Sequence, residues 1–136
     1  MLALLDLGLF ANASLGGAAW LFFALMIGHA IADFPLQGQF LAMGKNRHVK
    51  MPDPEGEPFP KNLWVYCLSA HALIHAAPVW LLTGSAALAL LECVLHWLID
   101  YAKCERWTNF ATDQGLHVLC KAIYTFLIWR GWVEIG

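Results

Sequence analysis

Charge is what this sequence has least of. Only 13% of its 136 residues are Asp, Glu, Lys or Arg, about half the share usual in soluble domains, so an ordinary water-soluble domain is excluded. Basic residues are scarce as well, eight Lys and Arg against ten Asp and Glu for a net charge of -2. No basic stripe exists for nucleic acid to follow, and no nucleic-acid partner is expected. The four cysteines, Cys67, Cys93, Cys104 and Cys120, form no CxxC pair, which removes the zinc-ribbon and thioredoxin-type readings. Three of them lie in apolar runs, where a free thiol behaves as a small buried hydrophobe and says little about redox compartment. The opening "MLALLDLGLFANASLGG" has an acid at Asp6 and no basic leader. A retained amphipathic lead-in is therefore expected in place of a cleaved signal peptide. Apart from Ser69, two residues before His71, no Ser or Cys stands beside a His-Asp pair, which argues against a serine-type hydrolase.

Apolar side chains make up 60% of the chain, and the mean hydropathy is +0.57. The expected protein is an all-α integral membrane four-helix bundle, a single transmembrane domain over 1–136, since the length accommodates four spans of roughly 20 residues and no further domain. The spans fall at about 18–40, 63–82, 85–101 and 110–132. Between the first two lies "GKNRHVKMPDPEGEPFPKN", a Pro- and Gly-rich surface loop. Lys45, Arg47, Lys50 and Lys61 lie in that loop, and Lys103 and Arg106 in the third connection. By the positive-inside rule both basic connections face the cytoplasm and both termini the non-cytoplasmic side. Trp64, Tyr66, Tyr101 and Trp107 then fall near the inner interface, and Trp20, Trp80, Trp129 and Trp132 near the outer.

Residues four apart on a helix share a face, and every span contains such a pair: His29/Asp33, His71/His75, His96/Asp100 and Asp113/His117. Ionisable groups inside spans are costly and by default suggest function. Because successive helices run in opposite directions, the pairs stack in two layers. Asp33, Asp100, Asp113 and His71 lie toward the cytoplasm, and His29, His75, His96 and His117 one turn deeper. Glu92 and Lys121 lie a turn deeper again, as an expected ion pair closing the floor. Gln37 and Lys103 line the mouth, although Gln37 reads equally as a cap, and Lys103 and Arg106 also read as interface anchors whose stems snorkel. Pro35 and Pro78 are expected to kink their helices beside the site.

Imidazole with carboxylate suits Zn, Mn or Fe, and this set is large enough for one or two divalent ions. All eight paired residues are candidate metal ligands. A proton- or ion-conducting core and purely structural hydrogen bonding are the competing readings. Four inward histidines could also ligate haem, but haem would leave the aspartates unexplained.

The segments "GHAIADFPLQ", "SAHALIHA", "HWLIDYAK" and "NFATDQGLH" together resemble the domain of unknown function 3307 family of small bacterial and phage integral membrane proteins. The resemblance covers about Leu21 to Lys121. It marks His29, Asp33, Gln37, His71 or His75, His96, Asp100, Lys103, Asp113, Gln114 and His117 as motif positions and implies a multi-pass protein of the bacterial inner membrane, with no reaction attached. Three functions are carried forward. The first is a metal-dependent hydrolase acting from the cytoplasmic side on a lipid or amphiphilic phosphoester, with Asp33, Asp100 and Asp113 as candidate catalytic groups and Gln37, Glu92, Lys103, Gln114 and Lys121 as supporting or substrate-contacting residues. The second is a metal-ion carrier or sensor. The third is a non-catalytic membrane interaction module; under any of the three the bundle could form a homo-oligomer.

Overall fold

The computed structural model describes residues 14–51, 56 and 59–135; the lead-in with Asp6 lies outside the described residues. The described chain is all-α, with helices α1 (Leu15–Asp33), α2 (Gly38–Gly44), α3 (Leu63–Thr83), α4 (Ala86–Cys104) and α5 (Phe110–Trp129). Local chemistry sets the helix starts. Ser14 Oγ accepts from Gly17 N at 3.0 Å, Ser85 Oγ from Leu88 N at 3.3 Å and Asn109 Oδ1 from Thr112 N at 2.9 Å, each satisfying an otherwise unpaired first-turn amide. The α3–α4 turn is held by buried Thr83, whose hydroxyl donates to Val79 O at 2.7 Å and accepts from Ser85 N at 3.1 Å.

The first apolar run does not continue as one helix to about residue 40. Pro35 has no N–H to donate and its ring obstructs the preceding turn, so it ends α1 at Asp33 where a kink was expected. Phe34 N still reaches Ala30 O at 3.1 Å, but Leu36 N slips to Ile31 O at 3.1 Å, and Gly38, at φ 58°, takes the left-handed backbone that glycine tolerates. The chain then re-enters as α2 and packs against α3. Pro78 stays inside α3. Opposite it, a Cβ added at Gly28 would lie 2.6 Å from Pro78 Cβ, so the glycine is what lets α1 and α3 approach. At the other ends, α4 runs on to Cys104 and α5 stops at Trp129, short of the expected 132.

The four long helices pack in a ring, α1 against α3 and α5, and α4 against α3 and α5. The interior is divided along its length. Near the α3–α4 turn, Leu21, Leu25, Val79, Leu88, Cys120 and Tyr124 form an apolar core. Toward α2 the interior gains a dense set of buried polar side chains, His29, His71, His75, Glu92, His96, Asp100, Asp113, His117 and Lys121, set among buried Ala32, Cys67, Leu68 and Ala72. The outward faces are apolar, with Leu90, Val94 and Leu98 exposed on α4 and Leu119, Ile123 and Phe126 on α5. Among the described residues, α1 and α3 are long and apolar enough to cross a membrane.

Candidate metal centre

Each long helix contributes one imidazole to a closed circuit at mid-depth. Ring centroids are 5.0 Å apart for His29 and His75, 3.6 Å for His75 and His96, 4.1 Å for His96 and His117, and 5.2 Å for His117 and His29. The i, i+4 spacing places a second polar layer one turn nearer α2. There His71 Nε2 lies 3.3 Å from Asp100 Oδ2 and 3.5 Å from Asp33 Oδ1, and His117 Nε2 lies 3.5 Å from Asp100 Oδ1 and 3.7 Å from Asp113 Oδ1. The helical period thus brings together all eight paired side chains. The rings of His75, His96 and His117 stack closely, at 3.6 and 4.1 Å between neighbours.

These groups approach each other without bonding. Both ring nitrogens of His71, His75 and His96, Nδ1 of His29 and His117, and Asp113 Oδ1 are buried and have no hydrogen-bond partner among the described residues. An unsatisfied buried polar atom costs about 1–3 kcal/mol, so such a concentration is the wrong outcome for a purely structural polar core. It is a suitable one for ligands. Four sets of side chains have ligand atoms within 4.8 Å of one another: His29, His75 and His96; Asp33, His71 and His75; His71, His96 and Asp100; and Asp100, Asp113 and His117.

Below the imidazoles, Lys121 Nζ donates to Glu92 Oε1 at 2.5 Å, with the two side chains 2% and 1% exposed. Glu92 Oε1 also lies 3.4 Å from His96 Nδ1. This pair lies between the imidazoles and the apolar core.

Above the carboxylates, Gln114 Nε2 donates to Asp33 Oδ2 at 3.0 Å and Asp113 Oδ2 at 3.2 Å, while its Oε1 lies 3.5 Å from His29 Nε2. Lys103 Nζ donates to Asp113 Oδ2 at 2.9 Å, so it is an ion-pair partner of the site and not a free interface anchor. Gln37, although it precedes α2, makes no side-chain cap bond; its Oε1 accepts from Lys45 Nζ at 2.5 Å. Ser69, the one hydroxyl near the histidines in sequence, accepts from Trp97 Nε1 at 3.2 Å.

Lys45 is the residue that sequence reasoning missed. Assigned to a surface loop, it is 6% exposed and its ammonium lies 2.5 Å from Asp100 Oδ2. Reading Pro35 as a stop would have found it, because the "GQFLAMG" run then forms a separate short helix that packs against α3 and carries the next residue to the site. Beyond Lys45, Arg47 donates to Glu105 Oε2 at 2.6 Å and lies 5.8 and 5.7 Å from the ring centroids of Trp64 and Tyr101. That bond, reinforced by His48, holds the Glu105 carboxyl below its ordinary pKa and fastens the segment after α2 to the end of α4.

No curated protein and no solved structure matches this chain. A family model described as protein of unknown function (DUF3307) matches residues 21–133. That match spans all but the ends of the helical ring and every side chain of the centre, and the chain therefore belongs to the DUF3307 family.

Proposed function

We propose that this is a membrane-embedded divalent-metal-binding protein whose centre, loaded with Zn, Mn or Fe, hydrolyses a lipid or amphiphilic phosphoester. The observation that carries the metal reading is the set of buried imidazole nitrogens without hydrogen bonds facing three carboxylates. Neutral imidazole and carboxylate are suitable donors for such ions, and Glu92 beside His96 Nδ1 is an outer partner of the kind that orients a ligating ring.

The membrane reading extends from α1 and α3 to the whole ring because the outward faces are apolar while a dense ionisable cluster is buried inside, an arrangement that suits a bilayer. Lipid suits outward faces such as Leu90, Val94 and Leu98. The protein is read as a four-helix bundle, multi-pass in a bacterial inner membrane, with the basic α2 end in the cytoplasm.

Hydrolysis is favoured over transport by the shape of the site. The Glu92–Lys121 pair and the apolar core beneath it stand in the way of a through-path and favour a site reached from the α2 end. Lys45 and Lys103 already offset two of the three carboxylates, so a divalent ion leaves the pocket cationic and an anionic substrate completes the balance. When bound, the ion supplies Lewis acidity and activates water. Asp33, Asp100 or Asp113 accepts the proton, and Lys103, with a side chain 30% exposed, meets the phosphoryl group at the mouth.

The test is protein reconstituted in liposomes with Mn²⁺ or Zn²⁺ and a long-chain alkyl phosphodiester. Metal-dependent turnover that disappears in Asp113→Ala, without metal entering the vesicle lumen, is the expected result. Metal flux without turnover would replace the enzyme by a carrier.

A further inference from the structure

We infer that the centre holds two divalent ions, one between α1 and α3 and one between α4 and α5, bridged by the two carboxylate oxygens of Asp100. This deepens the metal-binding reading and rests on it.

Two of the four ligand sets divide by helix pair, and a third, His71, His96 and Asp100, links them across α3 and α4. Asp33 of α1 with His71 and His75 of α3 makes one compact set, and Asp100 of α4 with Asp113 and His117 of α5 makes another; no residue belongs to both. Each set supplies imidazole and carboxylate together. His71, His75, Asp100, Asp113 and His117 are all at least 98% buried, and the nitrogens of His71 and His75 aimed into the first set have no hydrogen-bond partner among the described residues.

The two sets meet at Asp100, and the bonding of the other two aspartates shows why. Asp33 presents Oδ1 to His71 at 3.5 Å and to His75 at 3.8 Å, and its Oδ2 accepts from the Gln114 amide at 3.0 Å. Asp113 presents Oδ1 to His117 at 3.7 Å, while its Oδ2 is held by Lys103 at 2.9 Å and Gln114 at 3.2 Å. Each therefore has one oxygen directed inward, as a terminal ligand would. Asp100 has both. Its Oδ2 faces His71 at 3.3 Å, across the ring on α3, and its Oδ1 faces His117 at 3.5 Å on α5. The Lys45 bond occupies one lone pair of Oδ2 and leaves the other for an ion. Gln114, which ties both terminal aspartates, fixes their separation. His96, stacked between His75 and His117 at 3.6 and 4.1 Å, shares a compact set with His71 and Asp100. A carboxylate bridge of this kind holds two ions ~3.5–4 Å apart.

The experiment is Mn²⁺ loading of the purified full chain, read by equilibrium dialysis and by electron paramagnetic resonance, which distinguishes exchange-coupled Mn²⁺ from isolated ions. Wild type is expected to bind two Mn²⁺ per chain and to show the coupled spectrum. Asp33→Ala and Asp113→Ala are each expected to retain one ion, with the hyperfine pattern of isolated Mn²⁺; the conservative Asp33→Asn and Asp113→Asn serve if the alanine variants do not fold. Saturation of wild type at one Mn²⁺, or two ions without coupling, overturns the bridged pair and leaves metal binding intact. No Mn²⁺ bound at all overturns both.

Discussion

Glu92→Ala is expected to destabilise the protein by about 3–5 kcal/mol, the cost of leaving one partner of a buried ion pair uncompensated. Glu92 and Lys121 are almost completely enclosed and 2.5 Å apart, below the imidazoles and above the apolar core formed by Leu21, Leu25 and Tyr124. Removing the carboxylate leaves an ammonium with no water to hydrate it, and His96 loses its nearest neighbour at Nδ1. Replacing both partners, as Glu92→Met with Lys121→Met, is expected to recover most of the loss, because a buried pair exchanged for hydrophobic groups of similar volume is often neutral. Thermal unfolding in detergent reads the difference. If Glu92→Ala melts with the wild type, water reaches the floor, and the barrier to a through-path that favours hydrolysis over transport is lost.

The second large effect is on metal affinity. Asp100→Asn keeps the shape of the side chain and an oxygen for Lys45, yet removes the charge and one of the two oxygens directed at His71 and His117. Outer partners of metal ligands typically change affinity by about 10–100-fold. For a carboxylate central to the centre the loss is expected to exceed about 100-fold. Lys45→Met is expected to shift affinity the other way, since the ammonium on Asp100 Oδ2 repels an incoming cation. Calorimetric titration with Zn²⁺ checks both variants. An Asp100→Asn protein that binds as wild type does would remove Asp100 from the ligand set.

The inward-facing side chains were legible in the sequence because they rest on two simple regularities. A period of 3.6 residues puts positions four apart on one face, and helices that alternate in direction stack those faces in register; His29, His75, His96 and His117 meet at one level for that reason. Helix α3 was legible from the apolar run and the Thr83-Gly84 turn. Pro35 was not, since the apolar residues continue past it to Phe40 and conceal the end of α1. Lys45 went with it, because its burial depends on a helix break that hydropathy does not record. The partners of Lys103, Gln37 and Gln114 depend on helix rotation and on which carboxylate oxygen is free, and spacing determines neither.

The most direct measurement is the metal content of protein purified without chelators, before and after reloading with Zn²⁺ or Mn²⁺, beside His96→Ala and Asp113→Ala. The centre predicts stoichiometric divalent metal in the wild type and a clear loss in both variants. Wild-type protein that carries no metal and cannot be reloaded would contradict it.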